Sequence, residues 1–419
     1  MEIVATRNKG AEDILPCDSY IWQNTEKLMA DTAKSYGFKE IRFPTFEKTE
    51  LFVRSVGETT DVVQKEMWTV KGRESTYTLR PEGTAGAMRA VLQNGLLNEA
   101  LPQKIYYQIS AFRHENVQKG RLWEFHQFGA ELVGSALPAA DAQIIHMAAD
   151  ILSKLGIKTE LHINSIGCKE CRAKYYEALR AYFAPNKDKL CETCQSRYEK
   201  NPMRLLDCKS EICRDIAKNA PIMTDYLCDE CREHFETVKS LLTALDIEYT
   251  VDPKIVRGLD YYTRTVFEFI SADIGAQATV AGGGRYDGLI AEMGGPSTPA
   301  LGFAIGMERI ILAMKAAQGR FTDDTCDLYI IAMDSEKTGR KALEAAVSTA
   351  AKARAKGKWA EYDLCGRAFK AQMKYANKIG AKHLVVIGES ELENGTVNVK
   401  DMASGEQVQC SISDITEKI

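Results

Sequence analysis

Between Lys104 and Gly134 the chain reads KIYYQISAFRHENVQKGRLWEFHQFGAELVG, and no other stretch limits its folding so strongly. Lys104 to Phe112 is rich in β-branched and aromatic residues and predicts a strand. Trp123 to Val133 predicts a second, and a basic loop joins the two. Side chains alternate across a strand, so Phe125, Gln127, Gly129 and Glu131 share one face. An ordinary buried face does not carry an amide and a carboxylate; a ligand-facing one does. Arg113 and Arg121 stand at the two ends of the loop, and guanidinium forks match phosphate or carboxylate. The bland alternative is a solvated hairpin with surface charge. Four polar groups in register make it the weaker reading.

At 419 residues the chain is too long for one ordinary core, so two or three domains are expected. Hydrophobic residues at 45% and charged residues at 27% give the balance of a soluble protein. The opening MEIVATRNKGAEDILP has no apolar signal region, and no apolar run approaches the ~20 residues that span a bilayer. A cytoplasmic protein without a membrane partner is the expectation. With net charge −4, a nucleic-acid partner must meet a local basic patch.

Helical periodicity covers Ser19 to Tyr36, with Gly37 as its cap. Phe38 to Phe46 reads as a strand broken by Pro44, hence an edge strand or a subunit contact. Thr76 to Leu79 is a short strand leading into Arg80-Pro81-Glu82-Gly83-Thr84 and a helix, Ala85 to Leu92. A helix follows the hairpin at Ala139 to Leu155, then a strand at Thr159 to Asn164. From Cys168 to about Leu245 the chain is mostly helical and charged, as an insertion would be. Strand patterns return at Ile255 to Phe269 and Gln277 to Ala281, followed by Gly282-Gly283-Gly284-Arg285-Tyr286-Asp287-Gly288. Leu301 to Lys315 begins as a glycine-punctuated strand or turn and becomes a helix. After a linker at Gly319 to Thr325, strands and helices alternate: Asp327–Met333, Glu336–Lys356, Trp359–Tyr362, Arg367–Ile379, Leu384–Ile387. Asn394-Gly395 then predicts a hairpin turn. This division gives 1–166 and 246–320 as two parts of a catalytic core, 167–245 as a cysteine-rich insertion, and 326–419 as a compact α/β domain.

These residues carry a resemblance. The run FRHENVQKGRLWEFHQFGAE resembles motif 2 of class II aminoacyl-tRNA synthetases. Gly302-Phe303-Ala304-Ile305-Gly306-Met307-Glu308-Arg309 resembles motif 3, and Phe38 to Phe46 resembles motif 1. Arg257-Gly258-Leu259-Asp260-Tyr261-Tyr262 and Ala281 to Gly288 are similar to the two signature segments of histidyl-tRNA synthetases, and Thr78 to Thr84 also matches. The resemblance runs nearly end to end. It implies an α/β chain with an α+β catalytic core: an antiparallel sheet with helices, a helical insertion and a C-terminal anticodon-binding domain. It implies ATP-dependent activation of L-histidine, transfer to the 3′ end of the histidine tRNA, Mg2+ accompanying ATP, and a homodimer with motif 1 at the interface.

The chemistry explains the residue types. Activation joins a carboxylate to the α-phosphate of ATP, so fixed cations must offset two anions and the charge that gathers on phosphorus. By resemblance, Arg113 grips the α-phosphate and Arg257 meets it from the other side as the second catalytic residue. Arg309 reaches the γ-phosphate, and Arg121 belongs to the loop over ATP. Glu82, with Gly83 and Thr84 beside it, suits the α-amine. Gln127 and Glu131 suit the amine and the imidazole, and Tyr262 with Tyr261 forms an aromatic wall; Arg113 and Arg257 complete the histidine set. Such a hydrogen-bonding site rejects analogues lacking the bonds by roughly 10⁴-fold. Gly282 to Gly284 let backbone lie close to the substrate. One departure stands out: family members carry a second basic residue just after the loop arginine, where this chain has Trp123.

Twelve cysteines in a chain expected to be cytosolic argue against a disulfide scaffold. Eight of them cluster: Cys168, Cys171, Cys191, Cys194, Cys208, Cys213, Cys228 and Cys231. Three CxxC pairs resemble structural zinc chemistry, four thiolates to an ion, and spacing leaves open which pairs combine. From Lys337 to Lys382 there are twelve Lys or Arg against three acids, an excess of nine that predicts one phosphate-binding face. The alternative to a ligase is a synthetase-like regulatory or binding subunit that lost its chemistry. Such paralogues lack the C-terminal domain and parts of the ATP grip, both of which this sequence has.

Overall fold

The computed structural model describes residues 6–57, 60–208, 210–271, 279–316 and 321–419. Gln277 and Ala278 of one expected strand, and Gly319 and Arg320 of the expected linker, lie outside them. The chain divides into two compact units, Met1–Thr322 and Asp323–Ile419.

Helix α1 (Pro16–Ser35) begins three residues before its expected start, because proline is tolerated at the first helical position. Strand β1 (Lys39–Glu40) pairs in parallel with Ile105 and Tyr106. That pairing stops at Ile41, before Pro44, and β2 (Phe46–Lys48) joins a different sheet. The expected single strand is therefore two short ones. Next come α2 (Thr49–Val56), β3 (Thr69–Lys71), β4 (Thr76–Leu79) and α3 (Thr84–Gln93). Strands β2, β4 and β3 form a small three-stranded sheet in that order.

The hairpin is as read. Strands β5 (Gln103–Phe112) and β6 (Glu124–Val133) pair without a break from Gln103↔Val133 to Phe112↔Glu124. After α4 (Pro138–Lys154) and β7 (Glu160–Ser165) comes the helical segment: α5 (Lys169–Phe183), α6 (Glu192–Lys200), α7 (Glu211–Ala217) and α8 (Asp229–Ala244). The chain returns through β8 (Thr250–Val251), β9 (Thr263–Ile270), β10 (Thr279–Arg285), α9 (Leu289–Glu292), β11 (Ala300–Gly306) and α10 (Met307–Ala316).

The main sheet has the order β1-β5-β6-β11-β10-β9-β7-β8. Only its edge pairs, β1 with β5 and β7 with β8, are parallel. Alternation sorts its side chains. Phe128, Leu132, Phe303, Phe267 and Phe269 point to one side and form a core with Met29, Ile144, Ile151, Val238 and Ile310 from α1, α4, α8 and α10. Helix α8, read as part of the insertion, thus packs on the main sheet. The opposite side carries a second cluster that joins Met88 and Val91 of α3 to Tyr261 and Tyr262. It continues into Tyr175, Leu179 and Phe183 of α5.

Two expectations change here. Ile255 to Tyr262 is irregular, and strand pairing begins only at Thr263. Pro253 and Gly258 both disfavour a regular ladder, and the segment instead lies against the open face of the sheet. Gly282 to Gly284, expected to follow a strand, lie inside β10 with partners on both sides. A Cβ on Gly283 would stand 2.1 Å from the Gly302 carbonyl, so these two strands approach too closely for a side chain there.

The second unit is a five-stranded sheet in the order β13-β12-β14-β15-β16. Its elements are β12 (Leu328–Ala332), α11 (Lys341–Ala355), β13 (Ala360–Tyr362), α12 (Phe369–Lys378), β14 (His383–Ile387), α13 (Glu389–Asn394), β15 (Thr396–Asp401) and β16 (Gln407–Ser411). Asn394-Gly395 is not a hairpin turn: Gly395, at φ 68°, caps α13 in the left-handed region. The hairpin lies one strand later, with Gly405 at φ 79° between β15 and β16. The basic run does not make one face either. Leu328 and Ile330 of β12 pack with Ala342, Ala346 and Ala350 of α11, whereas Tyr329 and Ile331 pack with Ala376 of α12. Helices α11 and α12 therefore cover opposite faces. Lys337, Lys356, Arg367 and Lys382 also meet carboxylates in their own unit.

Candidate active site

The floor of the site is a strip of small residues across the open face of the main sheet. Register places Glu131 beside Gly302 and Gly302 beside Gly284; one step along, Gly129 lies beside Ala304 and Ala304 beside Gly282. Hydrogens and one methyl stand where side chains would fill the space above the sheet. A Cβ on Gly302 would fall 1.7 Å from Glu131 Oε2, so that glycine makes room for the carboxylate.

Glu131 is buried within a cage of hydroxyls. Thr84 Oγ1 and the Tyr107 hydroxyl donate to Oε1 at 2.9 and 2.8 Å, and the Tyr286 hydroxyl donates to Oε2. Burial raises its pKa from 4.5 to about 8, against the lowering effect of those hydroxyls, with the nearby Glu82 adding to the rise. A carboxyl that holds its proton more tightly when folded stabilises the fold most below pH 4.5, and that contribution is lost as pH rises through about 8. In Glu131→Gln the group is gone. Thermal unfolding followed from about pH 5 to about pH 9 is expected to fall less steeply for the variant than for the parent. Parallel curves would show that the proton is held elsewhere.

Glu82 is also buried. Its two oxygens accept the Thr84 and Ala85 amides, each at 2.8 Å, and so cap the N-terminus of α3. Burial raises its pKa, while these amides hold it down. Glu82, Thr84, Arg113, Gln127, Tyr261 and Tyr262 all line one pocket over the glycine floor. Gln127 Oε1 is buried there and accepts no hydrogen bond among the described residues. It is an acceptor facing a cavity, and a cationic donor fits it. Gly83 is backed by the Tyr107 ring, which leaves no room for a side chain.

The arginines reach this face from two sides. Arg113, just past β5, donates from Nε to the Pro81 carbonyl at 2.8 Å and lies over the Phe125 ring at 5.4 Å. Arg257 pairs with Glu268, lies over the Tyr262 ring at 5.6 Å and rests against the bare face of Gly282. Strands β5 and β10 are three inter-strand steps apart, about 14 Å, so the two cations bracket the floor. Arg121 bonds Glu115 at 3.0 Å. Arg309 donates to the carbonyls of Gly120 and Thr279. Burial lowers the pKa of Arg309, and the charges of Arg121 and Arg113 lower it further. Arg113 lines the pocket while Arg121 and Arg309 do not, yet the three guanidiniums lie close enough to repel one another, a repulsion that a bound anion would relieve.

Trp123 proves to be part of the loop's frame rather than a free stacking surface. Its ring stacks on His114 at 4.8 Å, meets Trp68 edge-on at 5.6 Å and donates from Nε1 to the Glu115 carbonyl at 2.9 Å. Gly10 lies flush against it, and the Gly10 carbonyl accepts the Trp123 amide at 2.7 Å.

Sequence reasoning gave no role to Tyr107, Tyr286 or Glu268. Tyr107 was within reach, because the hairpin register sets it opposite Gly129 on the site face. Tyr286 lies in the signature-like segment Ala281 to Gly288, but only the fold brings its hydroxyl to Glu131.

Apart from the pocket, the eight clustered cysteines form two groups: Cys168, Cys171, Cys228 and Cys231, and Cys191, Cys194, Cys208 and Cys213. Within each, all four sulfurs lie within 4.8 Å of one another. Individual pairs stand at 3.5, 4.0 and 3.8 Å, far beyond a disulfide bond. Zn–S bonds of about 2.3 Å in a tetrahedron set sulfurs about 3.8 Å apart, so the spacing fits one ion per group. The Cys228 amide donates to Cys171 Sγ and the Cys191 amide to Cys213 Sγ, bonds of the kind that orient thiolate ligands.

A family model described as histidyl-tRNA synthetase matches residues 10–310, and one described as an anticodon binding domain matches residues 327–419. The chain is 49% identical to the histidine–tRNA ligase of Acetivibrio thermocellus over 98% of both chains. It is 50% identical to that of Clostridium botulinum strain Loch Maree over 97% of both. Among solved structures it resembles the apo histidyl-tRNA synthetase of S. aureus, at 37% identity, 99% coverage of both chains and a TM-score of 0.85.

Proposed function

The chain belongs to the histidyl-tRNA synthetase family, and from that premise we propose how its site divides the work. It is a histidine–tRNA ligase: it activates histidine with ATP and passes the histidyl group to tRNA. In the first step a histidine carboxylate oxygen bonds to the α-phosphorus and pyrophosphate leaves. In the second, a hydroxyl of the terminal ribose attacks the acyl carbon and AMP leaves.

Glu82 and Gln127 Oε1 accept the α-ammonium, with Thr84 beside them. Glu131 accepts the imidazole N–H, its position fixed beforehand by three hydroxyls, and Tyr261 and Tyr262 close the wall. Arg113 and Arg257 meet the α-phosphate from opposite sides, and Arg121 and Arg309 take the outer phosphates, where Mg2+ accompanies ATP. No side chain forms a covalent intermediate; the gain comes from placement and fixed charge. The observation that supports this reading is a pocket lined by Arg113, Glu82 and Gln127, whose buried Gln127 oxygen has no donor among the described residues, with Arg121 and Arg309 close enough to Arg113 to feel its charge.

The same reading gives the protein a cytoplasmic place, a homodimeric state and one zinc ion in each cysteine group. The dimer is supported by an apolar patch on the three-stranded sheet, where Phe46 is 58% and Val70 64% exposed, with Tyr77 beside Phe46. Among the described residues no helix is long and apolar enough to cross a membrane. The C-terminal unit takes the anticodon end of the tRNA.

Histidine-dependent exchange between ATP and pyrophosphate tests the assignment. Exchange driven by histidine alone among the amino acids is expected. Absence of exchange would instead support a non-catalytic binding subunit.

A further inference from the structure

We propose that the insertion is a metal-held splint for the loop that carries Arg257, acting through Arg204 and Arg172. This rests on the ligase and zinc readings above and adds a role that neither contains.

The loop needs an outside support. Residues 252–262 lack strand pairing, yet they carry Arg257, Tyr261 and Tyr262 over the glycine floor. The insertion holds their backbone at three carbonyls, those of Arg257, Gly258 and Tyr262. Arg204 donates from Nη1 to the Arg257 carbonyl at 2.9 Å and from Nη2 to the Gly258 carbonyl at 2.8 Å. Arg172 donates from Nη1 to the Tyr262 carbonyl at 3.1 Å. Asn201 adds a bond from Nδ2 to Asp260 Oδ1 at 3.2 Å. The Arg204 side chain is only 7% exposed, and its nearest carboxylates, Asp207 and Asp260, stand 3.9 Å away. A buried guanidinium whose fork is committed to two consecutive carbonyls fixes a geometry, because its planar donors cannot follow the carbonyls if they rotate.

Each of these arginines belongs to a different cysteine group. Arg172 follows Cys171 directly. Arg204 and Asn201 lie on the segment between Cys194 and Cys208, so the ion shared by Cys191, Cys194, Cys208 and Cys213 closes that segment into a loop at its base. Helices α6 and α7 on either side have nine and seven residues, too short to hold such a loop by their own stability. Met203 and Leu205 pack this segment into the apolar cluster, and four thiolates on one ion would fix its base. Metal occupancy therefore sets the position of Arg257 through bonds to its own backbone. A displacement of about 1 Å in a catalytic group costs about 10²-fold in rate.

The test combines kinetics with metal content. Arg204→Ala is expected to lower kcat for histidine-dependent pyrophosphate exchange by about 10²-fold, with KM for histidine within about threefold of the parent. Zinc should remain at one ion per cysteine group, two in all. Dilute guanidinium ion should restore part of kcat in Arg204→Ala and do nothing for Arg257→Ala. Cys208→Ser, which opens the second group, should reproduce the loss of kcat. Should Arg204→Ala fail to fold, Arg204→Lys keeps the charge but cannot span both carbonyls, and a loss of about tenfold is expected from it. The splint is overturned if zinc-loaded Arg204→Ala and Arg204→Lys keep kcat within about twofold of the parent. It is also overturned if kcat and histidine affinity fall together with thermal stability and guanidinium restores nothing. A parent protein without zinc would overturn the metal reading, and a parent without histidine-dependent exchange would overturn the ligase reading, so the three failures are distinguishable.

Discussion

Replacing Arg257 with alanine is expected to lower kcat for histidine activation by about 10²–10³-fold and to change histidine affinity by no more than about threefold. Charge on the α-phosphate grows as the carboxylate attacks, and a cation already in place stabilises it without reorganising. Burial alone would favour a neutral Arg257, but the Glu268 carboxylate and the Tyr262 hydroxyl beside it raise its pKa. The cation is thus present at every working pH. Its side chain is 18% exposed, which keeps water from weakening its field. Exchange kinetics and calorimetric titration with histidine measure the two quantities. Equal losses in both would assign Arg257 to ground-state binding and remove it from the chemical step. Arg257→Lys keeps a charge but loses the fork, and should fall between the parent and the alanine variant.

The second large effect is on stability. Arg285 is fully buried on the side of β10 away from the site. It meets Asp141 of α4 at 2.8 Å, Asp287 at 3.0 Å and the carbonyls of Ser135 and Leu137. Asp141 also bonds His234 of α8 at 3.2 Å. Burial opposes ionisation of Asp141, but His234 and Arg285 outweigh it and lower its pKa from 3.8. Its contribution is therefore present above pH 3.8 and lost as pH falls through the lower folded value. Asp141→Ala leaves a buried guanidinium short of its main partner, so urea unfolding at neutral pH should show a loss of about 3–5 kcal/mol. Replacing both partners with apolar residues of similar volume should recover most of it. A single-variant loss below about 1 kcal/mol would show that the triad does not hold α4, α8 and β10 together.

What the sequence revealed follows from how local each signal is. The two hairpin strands and the shared face of the second, the helix after Glu82 and the passage from strand or turn to helix within Leu301 to Lys315 depend on alternation, caps and period within a few residues of one another. Each was legible for that reason. Features built by distant contacts were not. The Glu131 cage brings hydroxyls from Thr84, Tyr107 and Tyr286, which no spacing rule connects. The pairing of cysteines into two groups depends on how four helices, α5 to α8, fold back on one another. The irregular course of Ile255 to Tyr262 was hidden by an apolar, aromatic composition that a strand would share, since its anchors are side chains of a different segment. Asn394-Gly395 misled for a further reason: a left-handed glycine serves a helix end as well as a hairpin, and only the helix before it decides.

The glycine floor has a consequence for how this protein can change over generations. At Gly302, Gly282 and Gly284 every substitution adds atoms, and the added carbon would meet a carboxylate, a guanidinium or a neighbouring backbone. No single replacement there can be smaller, so drift at these positions runs in one direction only, ending against backbone at Gly302 and Gly284 and displacing the Arg257 guanidinium at Gly282. Across the same sheet, the side bearing Phe128, Phe303 and Phe267 can lose or exchange methylenes and settle again. One sheet thus carries two mutational regimes back to back. A saturation library of β11 should reveal them as alternating positions, Gly302 intolerant and its neighbours Leu301 and Phe303 more permissive, with the period of the strand itself.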